Sequence, residues 1–275
     1  MRPDGAGVAE AEHTMDLTRV SWEKRDGVGV VTLNRPDRLN ALDSRTIDEF
    51  DHLVERAWND DTVRCLLMTG AGRGFCSGAD VKDWGSGDSD AGTGDSWVLK
   101  MHRLMTRLYR MPKPVIAAVN GVAVGAGFDL ALVADLRIAS ANARFGMVYV
   151  SVGFCPDAGG SYLLPRLIGP GKAAELIFTG RIIDAPDANQ LGLLNGMVEP
   201  DDLMDAAMEW ASRLASGPTV AIGLAKENIR QNLHLSFEDA LRNERRAGEV
   251  CGRTDDHREG LAAIGEKREP VFRGR

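Results

Sequence analysis

The sequence predicts an α/β fold in which short strands alternate with turns and helices, followed by an all-helical C-terminal region. Apolar strands rich in β-branched residues begin near Val28, Val63 and Val115. Units of two strands and a helix thus recur with a spacing of roughly 45 residues, and such units must stack to bury their apolar faces. Beyond Pro200 the strand signal almost disappears, which indicates a boundary there.

Composition limits the classes of function. A chain of 275 residues, 44% of them hydrophobic, can form one large core or two small ones. A net charge of -7 argues against general nucleic-acid binding. No apolar run approaches the roughly 20 residues that span a bilayer, so we expect no membrane partner. The five histidines show no metal-ligand spacing, so we expect no metal site.

The cysteines and the N-terminus bear on localisation and domain limits. Four scattered cysteines without a C-x-x-C pair indicate a reduced, cytoplasmic chain. Residues 1–16 lack the apolar core of a signal peptide, and we expect them to form a disordered leader. Residues 17–200 then form the strand-containing core, and residues 201–275 form the helical C-terminal region.

Two glycine-rich loops are the candidate chemical centre. Residues 70–80 follow one apolar strand, and residues 120–127 follow another and lead into an apolar helix at 126–134. Gly125 and Gly127 lack a Cβ atom, so a ligand can approach the backbone closely. The first N–H groups of a helix have no internal partner, and its dipole adds positive charge there. Two such loops can aim two N–H groups at one oxygen, although two ordinary glycine turns would have the same pattern.

The periodicity of apolar residues also predicts the remaining helices and strands. Residues 44–57 and 97–111 predict amphipathic helices, and residues 136–139 predict a strand. Asp157 stands where it can act as the N-cap of a helix at 158–167. Further helices are predicted at 172–178, 201–216, 218–231, 236–251 and 255–266.

Four motifs occur in order along almost the whole chain. They are Asn34-Arg35-Pro36-(x3)-Asn40-Ala41-Leu42, Gly74-Phe75-Cys76-Ser77-Gly78-Ala79-Asp80, Asn120-Gly121-(x3)-Gly125-Ala126-Gly127 and Glu266-Lys267-Arg268-(x)-Pro270-(x)-Phe272. Together they resemble the crotonase, or enoyl-CoA hydratase/isomerase, family. The resemblance implies a spiral of ββα units and chemistry on acyl-CoA thioesters of the kind found in fatty acid metabolism. It also implies that the helical tail forms a homotrimer, often doubled to a hexamer.

The resemblance implies roles for individual residues. The backbone N–H groups of Ser77 and Ala126 would bind the thioester oxygen and stabilise an enolate, each worth roughly 3–4 kcal/mol in a dry site. Residues 85–95, rich in Gly, Ser and Asp, would border the acyl pocket as a mobile flap, unless they are a solvated insertion. Coenzyme A would enter only as part of the substrate. Its implied contacts are Arg38, Leu39, Ala41, Ala79, Asp80 and, from a neighbouring subunit, Lys267, for which a solvated tail residue is the alternative.

The proton carrier distinguishes reactions within the family. Its hydratases resemble each other in having two glutamates, which orient a water molecule and move its protons. Here Asp129 and Tyr149 stand at those positions, and a phenol with a pKa of about 10 is a weak base at neutral pH. Asp157, in Pro156-Asp157-Ala158-Gly159-Gly160, is similar to the aspartate of family members that shift double bonds. An apolar pocket would raise its pKa toward a useful value.

These residues favour an enoyl-CoA isomerase in which Asp157 carries the proton through a dienolate. Asp129 is then a helper, or only a first-turn acid favoured by the helix dipole, and Tyr149 lines the pocket. The alternatives are an enoyl-CoA hydratase, a thioester hydrolase, and an aryl-CoA dehalogenase in which the aspartate attacks a ring carbon. A CoA-binding protein without catalysis is the non-enzymatic alternative. The sequence leaves the acyl group open.

Overall fold

A computed structural model describes residues 15–80 and 96–275, and it confirms the predicted α/β fold. The flap predicted at 85–95 and nearly all of the predicted leader lie outside these residues. The strands are β1 (Val20–Arg25), β2 (Val28–Leu33), β3 (Cys65–Gly70), β4 (Gly74–Cys76), β5 (Val115–Val119), β6 (Val122–Val124), β7 (Leu136–Ser140), β8 (Arg144–Gly146), β9 (Ile182–Asp184) and β10 (Gly196–Val198). The helices are α1 (Ser44–Asn59), α2 (Trp97–Arg110), α3 (Ala126–Val133), α4 (Gly160–Ile168), α5 (Pro170–Thr179), α6 (Ala185–Gln190), α7 (Leu203–Ala215), α8 (Thr219–Asn232), α9 (Phe237–Cys251) and α10 (Asp255–Glu266).

From β3 to β8, successive strands alternate between two sheets. A six-stranded sheet has the order β1-β2-β3-β5-β7-β10, and a four-stranded sheet has the order β4-β6-β8-β9. Only the β1–β2 and β8–β9 pairs are antiparallel among the described strands. Pairs of strands precede α1, α2 and α3 in turn, which confirms the predicted spiral of ββα units. Parallel strands place the following loops at one edge, where both glycine loops lie.

The core lies between the sheets and the first three helices. Four phenylalanines from α1, β4, α3 and β8 are fully buried there: Phe50, Phe75, Phe128 and Phe145. Helix α1 begins at Ser44 because the carboxylate of Asp43 accepts the amide N–H of Thr46 at 2.7 Å. Every residue of α3 is buried, so this helix is fixed on all sides before any ligand binds.

A second apolar cluster covers the outer face of the six-stranded sheet. Helix α7 lies there with four small or aliphatic residues against β2, β3 and β5: Leu203, Ala207, Ala211 and Ala215. Alanines allow the helix to approach the strands closely. The boundary near residue 200 therefore marks where strands end, whereas the first helix beyond it still packs on the sheet.

The C-terminal tail is hydrogen-bonded to the residue before β3. The guanidinium of Arg64, one residue before that strand, donates to the carbonyl oxygen of Phe272 at 3.1 Å. Helix α8 is tied by Lys226 and Arg230, which pair with the carboxylate of Asp135 at 2.6 and 2.7 Å. Among the described residues, no helix is long and apolar enough to cross a bilayer.

Substitution of Gly121 by alanine tests the close contact between the first glycine loop and the β5–β6 turn. A Cβ atom on Gly121 would lie 2.1 Å from the carbonyl oxygen of Arg73, so the loop must shift. We expect Gly121→Ala to lower the free energy of unfolding in urea by about 1–3 kcal/mol. Gly171→Ala in α5 is the control, because nothing lies within 4 Å of its Cβ position. It should raise stability by about 0.4–1 kcal/mol, and equal losses in both variants would contradict the packing argument.

Candidate active site

The two glycine loops meet at the N-terminus of α3. A Cβ atom on Gly127, in the first turn of α3, would lie 2.1 Å from the carbonyl oxygen of Cys76. The Cβ position of Gly78 is 3.4 Å from the amide nitrogen of Ala126. The first loop therefore rests directly on the helix end, and only the absence of side chains allows this contact.

Two asparagines hold the first loop in place. Asn40 is 1% exposed, and its amide donates to the carbonyl oxygens of Ala71 and Gly74 at 3.0 and 2.7 Å. Its backbone adopts a left-handed conformation with φ 57°, which asparagine tolerates better than most residues. The amide of Asn120 donates to the carbonyl oxygen of Gly72 at 2.9 Å. The sequence placed both asparagines in motifs but assigned neither a role.

The residues predicted to contact coenzyme A lie in two adjoining segments. The amide of Leu42 donates to the carbonyl oxygen of Gly78 at 2.8 Å, and the amide of Asp80 donates to that of Leu42 at 3.1 Å. The carboxylate of Asp80 pairs with the guanidinium of Arg35 at 2.9 Å, so its charge is balanced within the protein. The structure thus brings together Arg38, Leu39, Ala41, Ala79 and Asp80.

Lys267 is not brought to these segments within one chain. It caps the C-terminus of α10 with a left-handed backbone, φ 55°, and is exposed. No contact among the described residues joins its side chain to the glycine loops. A role for Lys267 at the site of a neighbouring subunit remains a prediction.

The hydrogen bond of the Ser77 amide contradicts the role that the sequence predicts for it. This N–H donates to the carbonyl oxygen of Leu39 at 2.9 Å, so its hydrogen is already used and does not face a ligand. The amide of Ala79 is different. The carbonyl of Gly78 and the amide of Asp80 both bond to Leu42. The C=O and N–H of one trans peptide point in opposite directions, so the Ala79 amide, which shares a peptide with the Gly78 carbonyl, points away from Leu42, to the opposite side.

That opposite side is where the N-terminus of α3 lies. The amides of Ala79 and Ala126 make no hydrogen bond within residues 15–80 and 96–275. Ala126 is the first residue of α3, where helical N–H groups lack internal partners. Two unpaired amides at one helix N-terminus can bind an oxygen that carries negative charge.

Asp129 lies three residues beyond Ala126 in α3 and is fully buried. Its carboxyl group is 0% exposed, and its Oδ2 atom accepts a hydrogen bond from the Tyr149 hydroxyl. Burial raises the pKa of Asp129 to about 7, although the Tyr149 hydrogen bond lowers it and the charge of Asp157 raises it further. Burial also raises the pKa of Tyr149 above its usual range, so the phenol stays protonated. A sealed carboxyl cannot hold a substrate water.

Asp157 is more accessible and does not cap a helix. Helix α4 begins at Gly160, and its N-cap is Gly159 in a left-handed conformation, φ 101°, without a side-chain cap. The predicted capping role of Asp157 is therefore wrong, and its half-buried carboxyl is available. Burial raises the pKa of Asp157, while its own backbone N–H, His102 and the Tyr149 hydroxyl oppose that shift.

His102 is a site residue that sequence reasoning missed. Its Nε2 atom lies 2.7 Å from the carbonyl oxygen of Asp157, so it holds the backbone and leaves the carboxyl free. It is on the exposed side of α2, 55 residues earlier in the chain, and no local pattern marks it. Tyr149 contacts Asp129 directly and influences Asp157, which goes beyond the predicted role of lining the pocket.

The chain is similar to known proteins along most of its length. The family model described as enoyl-CoA hydratase/isomerase matches residues 23–275. The chain is 40% identical over 255 residues to a short-chain-enoyl-CoA hydratase of Clostridium acetobutylicum, covering 92% of this chain and 97% of the relative. It is 40% identical over 253 residues to a 1,2-epoxyphenylacetyl-CoA isomerase of Escherichia coli, covering 90% and 96%. The crystal structure of an enoyl-CoA hydratase from Bacillus anthracis superposes with a TM-score of 0.89 at 35% identity, covering 94% of this chain and 100% of that one.

Substitution of Asn40 tests whether its amide holds the first glycine loop. Asn40→Gly keeps the left-handed backbone and removes the side chain, which takes away the partner of the Ala71 carbonyl and of the Arg35 N–H and leaves the Gly74 carbonyl with the side chain of Asn120 alone. We expect the free energy of unfolding to fall by about 1–3 kcal/mol, since unpaired buried polar groups are costly. Asn142→Ala, at an exposed turn, should change stability by less than about 0.5 kcal/mol. A loss no larger in Asn40→Gly than in this control would contradict the role.

Proposed function

The chain belongs to the enoyl-CoA hydratase/isomerase family, and on that premise we propose that it moves a carbon–carbon double bond of an acyl-CoA thioester, with Asp157 as the proton carrier. The observation that carries the proposal is the contrast between the two carboxyl groups at the site. Asp157 is half-buried and not used as a cap, whereas Asp129 is fully sealed. One accessible acid is sufficient for isomerisation but not for the two-acid chemistry that adds water.

The thioester oxygen would be bound by the amides of Ala79 and Ala126. This pair replaces the predicted pair of Ser77 and Ala126, because the Ser77 amide is paired with Leu39. As a proton leaves carbon, the carbonyl oxygen gains negative charge, and fixed N–H donors stabilise it without reorganisation. The dipole of α3 acts in the same direction.

The proton would move within one face of the substrate. The Asp157 carboxylate takes a proton from one carbon, and the electrons of that C–H bond enter a dienolate whose charge rests on the thioester oxygen. The protonated Asp157 then returns the same proton to the other end of the dienolate. No water molecule is consumed, and the carboxylate is regenerated. A raised pKa for Asp157 brings its proton affinity closer to that needed at neutral pH.

Hydratase is the commoner name among the relatives, so their names give no support for the isomerase over the hydratase. One relative that is 40% identical is named a hydratase, and another of equal identity is named an isomerase. The burial of Asp129 favours the isomerase. Hydration, thioester hydrolysis, aryl-CoA dehalogenation and CoA binding without turnover are the other outcomes that an assay can return.

We also propose that the chain associates with copies of itself through its C-terminal helices. Large apolar side chains on α9 and α10 are exposed, among them Phe237 at 74% and Ile264 at 77%. Monomeric proteins rarely leave several such residues in contact with water. A trimer or hexamer would cover them and would give Lys267 a neighbouring site to reach.

Replacement of Asp157 tests the isomerase proposal. Asp157→Asn should slow the conversion of 3-enoyl-CoA to 2-enoyl-CoA by about 10²–10⁴-fold, because the proton carrier is removed while the shape is kept. The absorbance of the conjugated thioester measures this rate, and fluorescence titration with CoA checks binding. Asp201→Asn, at an exposed turn, is the control and should match the wild type.

Other results of the same assays would overturn the proposal. Wild-type turnover of 3-enoyl-CoA by Asp157→Asn excludes Asp157 as the carrier. Faster hydration of 2-enoyl-CoA than isomerisation by the wild-type protein assigns it as a hydratase. Binding of CoA without turnover of 2-enoyl, 3-enoyl or aryl thioesters supports the non-enzymatic alternative.

Charge substitution on the C-terminal helices tests self-association. The double variant Phe237→Lys/Ile264→Lys should dissociate the assembly, because two buried charges per subunit are costly to desolvate. Sedimentation velocity measures the change in mass. Gln190→Lys adds charge at an exposed position of α6 and should leave the assembly intact. Dissociation by Gln190→Lys alone, or a wild-type monomer, would contradict the proposed surface.

A further inference from the structure

Two acids and a phenol form a chain of polar groups without a cation. The carboxyl group of Asp129 in α3 is hydrogen-bonded to the hydroxyl of Tyr149. The same hydroxyl also lowers the pKa of Asp157, which lies in the loop before α4. In the described part of the chain, no lysine or arginine pairs with Asp129 or Asp157. Among residues 15–80 and 96–275, the hydrogen bond of the His102 ring is to the carbonyl oxygen of Asp157. Cys76 of β4 affects the pKa of Tyr149 electrostatically, and burial raises the pKa of the Cys76 thiol to about 12, so the thiol is neutral.

The second oxygen of Asp129 lies against apolar atoms. Its Oδ1 atom is buried and has no hydrogen-bond partner. A Cβ atom on Gly160 would lie 2.1 Å from Oδ1 and 2.6 Å from the terminal methyl of Met147, so these two residues close the space around it. A charged carboxylate with one oxygen in such surroundings is far more costly than a neutral carboxyl, whose carbonyl oxygen needs little solvation.

We propose that Asp129 holds a proton in the substrate-free protein at neutral pH. Its protonated Oδ2 then donates a hydrogen bond to the Tyr149 oxygen, the reverse of the bond that the ionised carboxylate accepts, and the Tyr149 O–H turns toward the Asp157 carboxylate. The two carboxyl groups then share one proton and titrate as a unit. Asp129 is thus a positioning residue, since it acts on Asp157 through Tyr149. Its consequence for turnover rests on the proposed function, whereas its protonation does not.

The direction of the pH dependence follows from the raised pKa of Asp129. Below about pH 7 the carboxyl is neutral, and above it the group ionises. The Tyr149 hydroxyl then bonds to Asp129 and no longer supports Asp157. A second negative charge also lies beside the enolate that forms in the reaction, which raises the barrier. The value of kcat/KM for isomerisation should therefore fall as the pH rises through about 7.

The test is a carbon-13 NMR titration of the protein labelled at aspartate carboxyl groups, without substrate. We expect one carboxyl signal to titrate near pH 7 and to be absent in Asp129→Asn. The midpoint should move down in Asp157→Asn, because a repelling charge is lost, and up in Tyr149→Phe, because a donor is lost. In turnover assays, Asp129→Asn should lack the fall of kcat/KM near pH 7, since a neutral amide cannot ionise.

An Asp129 signal that is already ionised at pH 5 in the wild type overturns the inference. If Asp129→Asn does not fold, the wild-type titration and the opposite shifts in Asp157→Asn and Tyr149→Phe still decide it. If Asp129 titrates near pH 7 but no acyl-CoA is turned over, the protonation of Asp129 is supported and the proposed function is excluded. Isomerisation that depends on Asp157, in a protein whose Asp129 is already ionised at pH 5, supports the proposed function and overturns the proposed protonation of Asp129.

Discussion

The whole site depends on the contact between the first glycine loop and the N-terminus of α3. Residues 71–73 of the loop belong to no strand or helix, and the side chains of Asn40 and Asn120 bond the carbonyl groups of the loop. Glycine at 127 and 121 then lets the backbone of β4 approach within a distance that no side chain permits. The spacing of the Ala79 and Ala126 amides follows from this contact, because both elements are rigidly buried.

Burial gives two chemically identical side chains different properties. Asp129 and Asp157 belong to the same polar chain, but one is enclosed by α3, β4 and α4 and the other borders the loop that precedes α4. Desolvation raises the pKa of both groups, and it acts more strongly on the enclosed one. The same physical effect thus raises the pKa of one acid that stays accessible and of another that is fully buried.

The sequence predicted the long, periodic elements well and the short ones poorly. The strand predicted to begin near Val28 starts at that residue, and the helix predicted at 255–266 agrees with α10 to the residue, because their apolar patterns and flanking polar residues are strong. Strands such as β4 and β10 have three residues and are held by neighbours distant in sequence, so no local pattern predicts them. The same limit applies to His102, which reaches the site only through tertiary packing.

Backbone direction was the other property that residue identity could not reveal. The amide of Ser77 and that of Ala79 belong to the same motif, and only the hydrogen bonds with Leu39 and Leu42 distinguish an occupied donor from a free one. Strand β3 also separates two regions: the C-terminal tail is tied at Arg64, before the strand, and the glycine loop follows its other end. Since six residues of parallel strand lie between them, substitutions at the tail can accumulate without disturbing the geometry of the loop.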